Sequence, residues 1–183
     1  ITPPGTTNDH DLGNISLTVS DFGQLGFAAG SIYNLDGQGF RFHYGGNLLY
    51  EAGLIIGRNS LQVSSSVRND VGGFRSSDFA PVAMLASGWR DGTDQRHLKA
   101  SFRDAGAEVS IPIQVNQQTI SFSSTEKSGF ILFNYELVNI DAGPLTGLRF
   151  GFFSDFDLGA TESIGYDAGL NLLYQQGSGS GYV

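Results

Sequence analysis

Residues 14–20 read NISLTVS, and this short stretch decides the class of fold. Ile15, Leu17 and Val19 fall on one side of an extended chain and Ser16, Thr18 and Ser20 on the other, the period-two pattern of a strand with one face buried. The same alternation recurs outward from it. Residues 37–44 (GQGFRFHY) set Phe40, Phe42 and Tyr44 against Arg41 and His43, and residues 61–68, 97–103 and 107–116 follow suit. Residues 119–124 and 129–139 read as a long hairpin about the loop TEKS at 125–128, and residues 148–153 (LRFGFF) return as a further strand after the turn DAGP at 141–144. In residues 48–57 (LLYEAGLIIG) helix and strand compete. Gly53 and the β-branched pair Ile55 and Ile56 favour a buried strand bent or bulged at the glycine. Pro112 has no N–H for a ladder, which places its strand at an edge or at a bulge. Residues 70–88 read as loop, with a short helical turn at 82–86. About eight to eleven strands with turn signals roughly every ten residues predict an all-β chain, an antiparallel sandwich of jelly-roll type.

The composition agrees with this class and closes off others. Of 183 residues, 26 are glycine and only 15% are charged, while 14 Phe, 7 Tyr and 1 Trp exclude a disordered tail. No apolar run approaches the ~18 residues of a membrane-crossing helix, so membrane insertion is not expected. The formal charge of −8 opposes nucleic acid, and the two lysines and eight arginines are scattered singly. With no cysteine there is no disulfide, no thiolate metal site and no thiol nucleophile. Residues 1–9 and 175–183 have linker composition and flank a single domain over 10–174, so the sandwich is expected to belong to a larger chain or to be completed by a neighbour.

No catalytic constellation stands out, and the chain is expected not to be an enzyme. The three histidines, His10, His43 and His97, are far apart in sequence, and no GxSxG elbow is present. Glu51 and Glu136 are the carboxylates whose apolar surroundings best suit acid/base work. The richest cluster is residues 154–167 (SDFDLGATESIGYD). Asp155 and Asp157 share a strand face, and Glu162 and Asp167 follow across a glycine-containing loop, hard oxygen ligands of the kind a structural Ca²⁺ takes. Asp91 and Asp94 form a smaller acidic turn. Trp89, Tyr33, Tyr44, Tyr50 and Phe74 are the aromatics available for a saccharide platform, which would make the chain a glycan-binding module.

Taken together, residues 11–19 (DLGNISLTV), 21–26 (DFGQLG), 47–57 (NLLYEAGLIIG) and 130–157 (FILFNYELVNIDAGPLTGLRFGFFSDFD) resemble a β-rich accessory domain of large secreted bacterial multidomain proteins, some with subtilisin-like peptidase domains and some with C-terminal sorting domains. The matching positions are Gly13, Asn14, Gly23, Gly26, Leu49, Tyr50, Gly53, Leu54, Gly57, Tyr135, Asn139, Asp155 and Asp157. The resemblance implies a secreted or cell-surface location and a structural or surface-association role. Partners would be other domains of the parent protein or copies of the chain, the latter assembling into a fibre or surface layer through its termini. It carries no peptidase motif to this chain, and it departs after Asp157, where only Glu162 and Asp167 follow.

Overall fold

The computed structural model describes residues 6–26, 37–67, 78–90, 94–159 and 161–177, and among them every regular element is a strand. In chain order these are β1 (Thr7–His10), β2 (Ile15–Ser20), β3 (Gln24–Leu25), β4 (Phe40–Phe42), β5 (Leu49–Asn59), β6 (Gln62–Ser65), β7 (Phe79–Arg90), β8 (Gln95–Asp104), β9 (Ile113–Phe122), β10 (Leu132–Asn139), β11 (Arg149–Phe156), β12 (Glu162–Asp167) and β13 (Leu172–Gly177). All pairings are antiparallel. One sheet runs β1-β2-β3-β5-β11, with β4 added to β2 and β6 added to β5. The second runs β10-β9-β8-β7, and β12 with β13 makes a separate hairpin.

The two large sheets bury their apolar rows against each other. Leu54 and Ile56 of β5 and Phe22 from the β2–β3 corner meet Phe79, Ala100, Phe102, Ile113 and Val115 of the second sheet. Leu17, Val19, Leu25, Leu49 and Ala52 meet Leu98 beside them. The alternation of residues 14–20 is therefore real, yet its polar side is buried too. Ser16, Thr18 and Ser20 are all within 5% of full burial, and residues 37–39 lie over Thr18. Thr18 Oγ1 donates to Asp9 (2.5 Å) and accepts from the Gly39 N–H (2.9 Å), so the hydroxyl side is hydrogen-bonded rather than wet.

Three local expectations change. Residues 82–86 belong to β7 and not to a helical turn, their missing alternation being explained by irregular register with β8 between Pro81 and Ala83 and between Ala83 and Ala86. Gly53 is not a bulge. It pairs with Phe153 on one side and Gln24 on the other, and the ladder shifts instead at Tyr50, between Asp155 and Phe156. The glycine is needed because Ser66 crosses directly over it: a Cβ at Gly53 would meet Ser66 Oγ at 2.6 Å. Pro112 precedes β9 rather than interrupting it, so residues 113–122 form one unbroken strand where two were expected. The stretches 1–5 and 178–183, with Tyr33, Phe74, Asp91 and the Trp89 side chain, lie outside the described residues.

Candidate functional site

Two of the four carboxylates singled out for Ca²⁺ have structural work. Glu162 opens β12, its Oε1 accepting the Leu158 N–H (2.5 Å) and its Oε2 the Gln175 amide (2.8 Å). Asp167 Oδ1 accepts the N–H groups of Gly169 (2.8 Å) and Leu170 (3.1 Å), closing the β12–β13 turn. Asp155 sits half-buried on β11 opposite Glu51, and Asp157 is exposed just past the strand. Among the described residues no three His, Asp or Glu side chains converge on one point. Asp155 and Asp157 alone offer far fewer than the roughly six oxygens that Ca²⁺ takes. The acid/base pair separates likewise: Glu51 is on β5 in the first sheet, and Glu136 is on β10 at the far side of the second. Of the histidines, His97 is hydrogen-bonded to Gln118 (3.0 Å) and Gln95 (3.2 Å), His43 stands edge-on to Phe42, and His10 is wholly buried.

What the structure does bring together is an open, apolar side of the sandwich. Among the described residues β10 and β11 are edge strands of the two sheets, each paired along one side only. Aromatic rings bridge the gap between them. Phe133 lies 6.3 Å from Phe152, and Tyr135 lies 5.6 Å from Phe150 and 6.4 Å from Phe152, centroid to centroid. Phe133, Phe150, Phe152 and Leu132 keep 38–50% of their surface exposed. Behind Phe133 and Phe152 is an apolar cavity of about 180 Å³, walled by Leu17, Leu49, Ile131 and Phe156. Tyr135 packs instead against the main core of the sandwich, where its hydroxyl is buried without a hydrogen-bond partner among the described residues and burial holds its pKa above that of an ordinary phenol.

Beside this mouth stands the β12–β13 hairpin, with Ile164 (74% exposed), Tyr166 and Leu173 (69%) on one face and Leu170 at its tip. Among the described residues, the Gln175 side chain joins it to β11. The Gln175 amide donates to the Phe156 carbonyl (2.8 Å) and accepts from the Phe156 N–H (3.4 Å), imitating the pair of bonds an added strand would make. Replacing Gln175 with Ala should therefore speed amide exchange throughout β12 and β13 while leaving β5 and β9 protected. Equal protection of the hairpin in both proteins would show that the anchor lies elsewhere.

Sequence reasoning missed this surface, though a signal was present. In residues 129–139 both alternating sets are largely apolar, and residues 150–153 carry three phenylalanines on two faces, the mark of strands covered on both sides. Compared with known proteins, the chain matches no family model, no curated protein and no solved structure.

Proposed function

We propose that the chain is a non-catalytic β-sandwich with a structural, surface-association role, acting through the open side formed by β10, β11 and the β12–β13 hairpin. The observation that carries the reading is the concentration there of large exposed apolar side chains, among them Phe133, Phe150, Phe152, Ile164, Tyr166, Leu170 and Leu173. At ~200 Å² per large side chain, about half exposed, these present about 700 Å², close to the ~800 Å² per partner of a standard stable interface. Two unpaired strand edges flank the patch, which suits completion by strand addition. A second copy of the chain has both complementary parts, an apolar arm and an apolar slot. The resemblance to accessory domains of secreted proteins supports an extracellular setting.

Sedimentation velocity from micromolar to submillimolar concentration tests this. The chain should associate with rising concentration, and the double substitution Phe152→Lys with Leu173→Lys should return it to a monomer without loss of the β-sheet circular dichroism signal. A chain that stays monomeric across the whole range would overturn the reading.

A further inference from the structure

The outer face of the β10-β9-β8-β7 sheet carries a groove of about 410 Å³, on the opposite side of the second sheet from the sandwich core. Register places its lining in two rows that cross all four strands. One row is Ala83, Ser101, Asn116 and Glu136; the next is Ala86, Lys99, Gln118 and Asn134. At ~4.8 Å between strands the rows extend about 14 Å, the length of a short oligosaccharide. The β7 wall is low because alanines stand there, and the two register irregularities of β7 fall at these same alanines. Bulges of this kind re-aim a strand beside a binding site.

The first row is a directed relay. Ser101 Oγ donates to Asn116 Oδ1 (2.9 Å), as does Gln114 Nε2 (3.0 Å), and Asn116 Nδ2 donates to Glu136 Oε2 (2.8 Å). This fixes Asn116 and Glu136 while leaving Glu136 Oε1 open. In the second row, Lys99 and Asn134 have no partner among the described residues. The groove thus offers preset acceptors and donors side by side, with the exposed methyl groups of Ala83 and Ala86 at its β7 end.

The geometry points to this groove as a binding site for a neutral oligosaccharide. Vicinal hydroxyls, each both donor and acceptor, match alternating amide, carboxylate and ammonium groups, and sugar C–H faces match the methyls. One lysine against one glutamate gives the groove no net charge, and the chain's charge of −8 repels polyanions. The recognition rests on amides and not on the aromatic platform that the sequence suggested, of which Tyr44 and Tyr50 are exposed but outside the groove lining.

The test is titration of ¹⁵N-labelled chain with neutral gluco-, xylo-, manno- and N-acetylglucosamine oligosaccharides, and separately with a sulfated polysaccharide. At least one neutral probe should shift outer-face amides of β8, β9 and β10 with a Kd of about 10 µM to 1 mM. Asn116→Ala and Glu136→Gln should each weaken it about tenfold, and Ala86→Trp, which fills the exposed groove, should abolish it while the remaining spectrum stays folded. Silence of every neutral probe at millimolar concentration would overturn the proposal, as would binding of the sulfated probe alone. Self-association would move amides of β11 and the β12–β13 hairpin, whereas a bound sugar should move those of β8 and β9, which lie outside that surface, so failure of one reading is distinguishable from failure of the other.

Discussion

Gly23→Ala should lower the unfolding free energy by about 3 kcal/mol, a large effect for adding a single methyl group. Two causes act together. Gly23 has φ of +88° at the buried corner between β2 and β3, a conformation that costs a residue with a side chain ~1–3 kcal/mol. A Cβ there would also lie 2.7 Å from Cζ of Phe102, whose ring is fully buried and packed edge-on against Phe79 at 5.3 Å. Overpacking of this kind costs ~1–3 kcal/mol. The causes separate in a double-mutant cycle. Phe102→Leu in the Gly23→Ala background should recover the collision but not the backbone strain, giving a coupling of about 1 kcal/mol or more. Urea midpoints at constant slope measure all four proteins. Gly129→Ala, where a Cβ meets nothing within 4 Å, is the control, expected within about 0.5 kcal/mol of the parent. A Gly23→Ala cost as small as that control would refute the packed corner.

The same corner shows why the fold was largely legible and the surface was not. Period-two alternation reports burial of one face, so β2, β5, β8 and the β9–β10 hairpin could be read from residue type. Alternation says nothing about what lies over the second face. Ser16, Thr18 and Ser20 look solvent-facing by chemistry and are buried, Thr18 beneath residues 37–39, a long-range event with no local signature. Residues 162–177 were obscured for the opposite reason: their carboxylates draw the eye to a metal loop, and alternation does not announce that Glu162 and Asp167 also hold a hairpin exposing Ile164, Tyr166 and Leu173. The groove was illegible in principle. Its two rows take one residue from each of four strands, and only register brings Ser101, Asn116 and Glu136 into line.

Acid should unfold this protein earlier than its carboxylates alone would dictate, through His10. The imidazole is wholly buried where β1 meets the second sheet, with Nδ1 2.7 Å from Ser121 Oγ and Nε2 2.7 Å from Thr119 Oγ1. Burial, reinforced by the Arg96 guanidinium and by His97 and opposed by Asp11, lowers its pKa from 6.5 to about 4. Neutral imidazole serves both hydroxyls, donating to one and accepting from the other. Because the folded pKa lies below the unfolded one, the unfolded chain binds the extra proton between pH 6.5 and 4, and stability rises with pH across that window. Above pH 6.5 the histidine adds no pH dependence. As pH falls toward 4 it removes up to about 3 kcal/mol, 1.36 kcal/mol for each tenfold difference in proton affinity. His10→Gln keeps a donor and an acceptor but cannot protonate. It should be less stable than the parent at pH 7, and the gap should close or reverse by pH 4, since the carboxylates titrate alike in both proteins. Parallel stability curves from pH 7 to pH 4 would show that His10 is not the buried neutral group that ties the two sheets together.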